Sequence, residues 1–343
     1  MIIEVGGTVT ASFTKGQAVR TALRRRWDLY TDPARKDRIA GLRQLGTTLS
    51  TDPDARVPHH GPQELRDLAA RYRLATDAEL VDGRIPLVWW THTANFGDLL
   101  SPWLVGLLTG RAVTYAPADR TSYLAVGSIV SEARRDSVVW GSGAFGSEGK
   151  WGITPAAEYR AVRGPLTRSR LRNIGLPVPR VYGDPALLAP LVYWPDVQKD
   201  AEVGIVVRWS ESRWTSAVAG EGVKIIDLGS DDVTGTLREL ISCRRILSSS
   251  LHGLILADAY GIPNAWLDSD GGAGGSRPAG GEFKFYDYMA SVDKLRHAQS
   301  PSFGDGPIEL GHLLDSLEFA GEPISFDHAA LLDACPFLER VDA

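Results

Sequence analysis

The sequence has little cysteine, only Cys243 and Cys335 in 343 residues. Two thiols do not make a disulfide framework, and no CxxC or paired Cys/His spacing marks a structural zinc site. A reduced, cytoplasmic setting is the expectation, with no metal and no cofactor. The chain also lacks any apolar run long enough to span a bilayer. Its first residues, MIIEVGGTVTASFTKG, have no basic start followed by a long apolar stretch, so no secretory leader is expected. Peripheral membrane contact stays open. Positive charge is not in excess either. The formal net charge is -5, which argues against a nucleic-acid partner, because such proteins present a strongly basic face. The cluster Arg24, Arg25 and Arg26 reads as a solvated helix face. The phosphate-loop pattern GxxxxGK[ST] does not occur, and neither a nucleotide-hydrolase nor a dinucleotide site is expected. Ser142 has no GxSxG context, which removes a hydrolase triad.

What is present is ordinary globular material. Hydrophobic residues make up 43% and charged residues 23%, enough for a sizeable core. The length suits two domains, and we place them at 85–195 and 196–343 behind a helical extension, 1–84. In that extension Leu42, Leu45 and Leu49 fall at helical spacing, as do Leu65, Leu68 and Ala69. No chemistry is expected there. From Arg84 short apolar runs follow one another at 85–90, 112–115, 123–126 and 138–140. Each is too short for a buried helix and is bounded by turn residues, as buried parallel strands are. Ser101-Pro102 reads as a helix start with Gly110 as its stop, and Gly164-Pro165 opens a helix ending near Gly175. After a crossover at 187–200 the alternation resumes. Strands are expected at 203–207, 223–228, 245–247 and 264–267, with helices at 233–243 and from Leu251. This is the signature of doubly wound α/β structure. The loop DGGAGGSRPAGG at 270–281 reads as a mobile segment beside a site.

Three segments carry chemistry. In ILSSSLHGLILADAYGIPN, 246–264, a strand ends in three serines, Ser249 or Ser250 caps, and an amphipathic helix follows with Leu251, Leu254, Ile255 and Ala259 on its apolar face. His252 then sits in the first helical turn, at the strand's carboxyl end. Ligands bind at that edge, and the helix N-terminus attracts anions. On position alone, a histidine merely packed beside the sheet is an equal reading. In VRGPLTRSRLR, 162–172, Arg163 stands just before a helix start, where it can hold a carboxylate or phosphate through paired hydrogen bonds; Arg168, Arg170 and Arg172 read as an exposed helix face. In THTANFGDLLSPW, 91–103, Asn95, Gly97 and Asp98 follow a strand, and Asp98 can orient or deprotonate a hydroxyl. Taken alone, an ordinary turn in which Asn95 and Asp98 bond their own backbone explains that segment better.

The order of the motifs says more than any one of them. NFGD at 95–98, VWGSG at 139–143, RGPLTR at 163–168, YGDPALL at 182–188, SSSLHG at 248–253 and FKFYDY at 283–288 together resemble the polysaccharide pyruvyltransferase family. The resemblance covers about residues 85–290. It implies two Rossmann-like domains facing across a cleft, similar to the glycosyltransferase B architecture. It further implies transfer of the enolpyruvyl group of phosphoenolpyruvate onto a sugar diol of a glycan or glycolipid, lipid-linked or free, forming a pyruvate ketal and releasing phosphate. Leu251-His252-Gly253 matches the family's histidine motif, so His252 inherits the roles of donor contact and general acid. Arg163 matches the family arginine, and Lys284 a downstream lysine. Many members carry arginine immediately before Leu-His-Gly, where this chain has Ser250; Arg208 and Arg277 are the cations that can stand in. Donor binding thus falls to Arg163, Ser250, Leu251, His252, Lys284 and Arg208. Asp98 is the expected base and, with Asn95, the acceptor contact. A sugar-nucleotide-dependent glycosyltransferase and a non-catalytic carbohydrate-binding protein are the alternatives. Ten tryptophans, among them Trp89, Trp90, Trp151, Trp209 and Trp214, suit either sugar stacking or core packing.

Overall fold

Side-chain alternation along short apolar strands sets how the chain layers. The computed structural model describes residues 33–149, 152–155, 157–208, 210–211, 217–268, 281–303 and 306–341. Arg24 to Arg26, Trp151, Trp209, Trp214, Arg277 and nearly all of the glycine-rich segment lie outside them. In chain order the strands are β1 (Tyr72–Leu74), β2 (Ile85–Val88), β3 (Val113–Tyr115), β4 (Ser122–Leu124), β5 (Ser137–Trp140), β6 (Glu158–Ala161), β7 (Ala201–Val207), β8 (Val223–Asp227), β9 (Cys243–Ser248), β10 (Asn264–Trp266) and β11 (Leu338–Arg340). β2 to β6 form a parallel sheet ordered β3-β2-β4-β5-β6, and β7 to β10 a second parallel sheet ordered β10-β9-β7-β8. The chain is mixed α/β with parallel sheets, as its alternating pattern requires.

Successive strand residues point to opposite faces, and this splits each strand between two cores. Leu87, Tyr123 and Trp140 of the first sheet share one apolar cluster with Val206 and Ile246 of the second. Val88, Leu124 and Val139 face another cluster behind the first sheet, and Val203, Ile205 and Leu247 face a third behind the second. The helices Phe96–Thr109, Val233–Ile241 and Leu251–Ala259 contribute to the shared cluster. Bonds between the halves join them there. Trp103 Nε1 donates to Thr234 Oγ1 at 2.9 Å, and the Phe96 amide donates to the Leu228 carbonyl at 3.0 Å.

Several expectations need correction. The helix assigned to Ser101-Pro102 begins earlier, at Phe96, with Asn95 as its cap. Pro102 sits inside it and forgoes one backbone bond, a loss offset where Phe96, Leu99, Leu100 and Trp103 are all buried. Gly110 ends that helix in the left-handed conformation, φ 64°. The Leu251–Ala259 helix is buried nearly all round, with Leu256, Ala257 and Asp258 enclosed as fully as the expected apolar stripe. It is therefore an interior helix, which needs no polar face. Within the region expected to be helical, Tyr72–Leu74 pairs antiparallel with β11 at the other end of the chain. The C-terminal segment thus returns to the first sheet, where Trp140 Nε1 donates to the Leu331 carbonyl at 2.7 Å and Phe337 meets Tyr123 and Trp140 edge-on. No helix among the described residues is long and apolar enough to cross a membrane.

Candidate active site

In each sheet the strand order reverses once, between β2 and β4 and between β7 and β9. Loops leaving neighbouring strands at such a point diverge and open a crevice at the carboxyl edge. Of the residues singled out from sequence, Asn95, Asp98, Arg208, Ser250 and His252 follow these strands, whereas Arg163 follows the edge strand β6 and Lys284 lies on the helix Phe283–Ser291. After β2, Asn95 Oδ1 accepts from the Gly97 amide at 3.3 Å while Asn95 Nδ2 donates to Asp98 Oδ2 at 2.6 Å. After β4 come Gly127 and Ser128. Arg208 follows β7, and Ser249, Ser250 and His252 follow β9.

His252 leans across to the first sheet. Its ring packs so closely on Gly97 that any Cβ there would collide with Nδ1. Gly97 immediately precedes Asp98 in the Phe96–Thr109 helix, so the ring lies against the turn that carries this carboxyl. The other ring nitrogen, Nε2, lies 4.0 Å from Asp184 Oδ2, with the His252 side chain 14% and that of Asp184 0% exposed. Neither atom makes a hydrogen bond of ordinary length.

Charge is unevenly shared in this pocket. Burial, with help from the Lys284 and Arg163 cations, pushes the His252 pKa down to about 3. Burial pushes the Asp98 carboxyl up to about 7, opposed by the Asn95 hydrogen bond and Lys284. Lys284 falls to about 7 through burial and the charges of Arg208 and Arg163. Its ammonium lies 5.3 Å from the ring centres of both Phe145 and Phe285, a cation–π setting. Asp184 is raised to about 6, first by burial and also by the Asp287 charge, with the Ala186 amide, Arg163 and the Gly127 amide pulling the other way. Near neutral pH the free site thus holds a neutral imidazole beside carboxyls that exchange protons easily.

Arg163 is wholly buried. Its Nε donates to Asp287 Oδ2 at 3.1 Å, Nη1 to Ser128 Oγ at 2.5 Å and Nη2 to the Ala144 carbonyl at 2.6 Å. Asp287 also accepts from the Thr167 amide at 2.8 Å and hydroxyl at 2.6 Å. Gly164 lets this carboxylate approach, since a Cβ there would strike the Asp287 backbone and side chain. Asp287 and Lys284 share the helix Phe283–Ser291, so the network fastens the Lys284 helix to the first sheet. In the second sheet Arg208 Nη2 meets Glu211 Oε1 at 3.4 Å, and Ser249 Oγ donates to Glu211 Oε2. Ser250 occupies the cap position, yet its side chain makes no capping bond; instead its amide donates to Ser248 Oγ at 3.0 Å. Leu251 is buried.

The structure therefore gathers His252, Asp98, Asn95, Lys284, Arg163 and Arg208 around one place. It adds four residues that sequence reading passed over as site members: Asp184, Ser128, Glu211 and Asp287. Two were within the quoted motifs, Asp184 in YGDPALL and Asp287 in FKFYDY, and an acidic residue amid apolar neighbours was the available signal. The sequence reading also overlooked that GSGAFG, 141–146, has GxGxxG spacing. Among the described residues no helix opens directly after it, at 147–149, and a dinucleotide fingerprint needs that strand–loop–helix context. Trp89 is buried, and Trp90 is exposed edge-on to His92.

Comparison with known proteins agrees with the motif order. Residues 118–271 of the chain match the polysaccharide pyruvyl transferase family. The match takes in the motifs at 139–143, 163–168, 182–188 and 248–253, while Asp98 and Lys284 fall outside it. Two relatives are similar over much of the chain. One is an uncharacterized protein, L143, of Acanthamoeba polyphaga mimivirus, 27% identical over 59% of this chain and 72% of the relative. The other is the succinoglycan biosynthesis protein ExoV of Rhizobium meliloti (strain 1021), 28% identical over 52% of this chain and 57% of the relative. This chain therefore matches little more than half the length of ExoV. Among solved structures, a functionally uncharacterized Klebsiella pneumoniae protein aligns over 54% of this chain and 84% of its own, at 13% identity and a TM-score of 0.34.

Proposed function

We propose that this chain is a cytoplasmic pyruvyltransferase that moves the enolpyruvyl group of phosphoenolpyruvate onto a sugar diol, forming a pyruvate ketal. The family and the ExoV relative support pyruvyltransferase activity on polysaccharide. In this reading residues 85–195 and 196–343 act as two Rossmann-like halves with the donor between them. One observation carries it: the cations Lys284 and Arg163 bear on the His252 imidazole, Lys284 also bears on the Asp98 carboxyl, and Arg208 bears on Lys284, so cationic and proton-exchanging groups share one place. A small donor bearing both phosphate and carboxylate suits that charge balance.

Phosphoenolpyruvate becomes reactive when its methylene carbon gains a proton, leaving a cation at C2. One sugar hydroxyl attacks C2, phosphate leaves, and a second hydroxyl closes the ketal. Three protons move: one onto the methylene, and two off the hydroxyls, of which one departs with phosphate. Lys284 and Arg208 hold the donor anions, and Arg163 adds its charge from behind Ser128. Sequence alone assigned the acid to His252 and the base to Asp98. The free-site charges favour the converse, with Asp98 protonating the methylene and neutral His252 accepting a hydroxyl proton. Ser250 leaves space where other members carry arginine, and Arg208 supplies the missing cation.

The test is twofold. Phosphoenolpyruvate at a hundredfold excess over Kd should stabilise the protein by about 2.7 kcal/mol, read as a rise in Tm, while nucleoside diphosphates should not. Phosphate should appear only with donor and a diol-bearing glycoside together. Stabilisation by a nucleoside diphosphate alone would replace this reading with a sugar-nucleotide glycosyltransferase.

The pH profile is also expected to have a definite shape. Asp98 must keep its proton and Lys284 its charge, and both are set near 7 in the free site. Because kcat/KM reports the free enzyme, it should fall as pH rises through about 7, more steeply than for one ionisation. His252 stays neutral down to about 3, so its titration adds no acid limb near neutrality. A profile flat up to pH 9 would remove Asp98 and Lys284 from these roles.

A further inference from the structure

Burying a polar atom without a partner is unfavourable, so each such atom calls for a reason. Two of them lie close together in this site. Asp184 Oδ2 and His252 Nε2 are 4.0 Å apart and neither makes a hydrogen bond of ordinary length, though the Gly127 amide also acts on the Asp184 carboxylate. The aspartate is held firmly: its other oxygen, Oδ1, accepts from the Ala186 amide at 3.1 Å, capping the turn Pro185–Leu188. The imidazole packs on Gly97 at its other nitrogen, Nδ1. Carboxylate and ring are therefore placed separately, by different segments, with Oδ2 and Nε2 4.0 Å apart.

We propose that Asp184 is a positioning residue for His252, its Oδ2 accepting the Nε2 proton and thereby leaving Nδ1 as the ring's working nitrogen. This rests on the pyruvyltransferase reading and extends it to the tautomer of the histidine. A buried carboxylate behind an imidazole sets which nitrogen carries the proton and steadies the ring when it takes up a second one. With Nε2–H turned to Asp184, Nδ1 presents a lone pair on the side of Gly97, whose helix turn also carries Asp98. When Nδ1 accepts a hydroxyl proton, the imidazolium formed lies beside the Asp184 carboxylate. Its charge is then offset within the protein. The charged groups bearing on the ring from the surrounding elements are Lys284, Arg163 and Asp184. The two cations disfavour the imidazolium, so Asp184 is the group that opposes them. Asp184 itself is raised by burial to about 6, which leaves it ionised and able to accept at pH 7.5.

The experiment combines activity with nitrogen-15 spectra of the His252 ring, in wild type and in Asp184→Asn. The amide variant keeps an Oδ1 acceptor for Ala186, so the turn is retained. Wild type should show the Nε2–H tautomer at pH 7.5. The variant should lose that preference and show a lower His252 pKa. Its kcat should fall at least about tenfold, with KM for phosphoenolpyruvate within about twofold, and Asp184→Glu should recover part of the loss. An Nδ1–H tautomer in wild type, or unchanged tautomer and kcat in Asp184→Asn, overturns the proposal. If the variant does not fold, the wild-type tautomer alone decides it. A wild type that shows the Nε2–H tautomer yet releases no phosphate from phosphoenolpyruvate would retain the dyad and refute the donor.

Discussion

Asp287→Ala is expected to lower the unfolding free energy by about 3–5 kcal/mol, measured by chemical denaturation. The reason is the environment of Arg163. Its guanidinium is 0% exposed and pairs with a carboxylate that is also 0% exposed. Removing the carboxylate leaves a cation in an interior where water cannot reach it, and it strips the Thr167 amide and hydroxyl of their acceptor. A loss of that size is a large part of the roughly 5–15 kcal/mol that holds a domain together. Removing both charges is a different matter. The double variant Arg163→Met/Asp287→Leu should be less destabilised than Asp287→Ala, because no uncompensated charge remains. If Asp287→Ala unfolds like wild type, the network is not a clamp and Arg163 is free to serve the donor directly. The clamp has a functional side as well. It ties the helix carrying Lys284 to the loop after β6, so a surviving variant should bind phosphoenolpyruvate more weakly.

Gly97→Ala should reduce turnover by roughly 10²–10⁴-fold, the range a positioned acid–base group contributes, and should do so without unfolding the protein. Gly97 lies within the first turn of the Phe96–Thr109 helix. Glycine there is locally unfavourable, since alanine stabilises a helix interior by about 1 kcal/mol. Local physics therefore argues for alanine. The His252 ring argues against it, because the added Cβ would overlap Nδ1, Cε1 and Cγ. The ring would have to leave its place between Gly97 and Asp184. His252→Ala should match the Gly97→Ala loss, and combining the two should add little, as expected of residues acting as a unit. Phosphate-release assays with a melting curve for each variant check this. Wild-type turnover in Gly97→Ala would show that the histidine works from another position or does no chemistry.

Much of the architecture could be read from the chain. Short apolar runs bounded by turn residues gave parallel strands at nearly the expected positions, because a strand buried on both faces needs no polar alternation. The Gly164-Pro165 helix start and the Gly110 stop also followed from local backbone chemistry. The Phe96 helix start was less legible. Pro102 reads as a first-turn proline, yet the helix starts earlier, where Asn95 caps it and Phe96, Leu99 and Leu100 are buried. The pairing of β1 with β11 lay beyond local reading, since three-residue strands with mixed burial carry almost no pattern.

The site divides in the same way. Position at strand ends marked His252, Arg163 and Asp98 as candidates, and the resemblance to the pyruvyltransferase family added Lys284 and, in place of the family arginine, Arg208. Only the tertiary structure decided where each stands. It turned Arg163 inward onto Asp287, set Gly97 against the His252 ring and placed Asp184 Oδ2 4.0 Å from its Nε2. Those outcomes depend on atoms distant in sequence meeting in a medium that solvates charge poorly, where a pKa is set by whatever the fold places nearby.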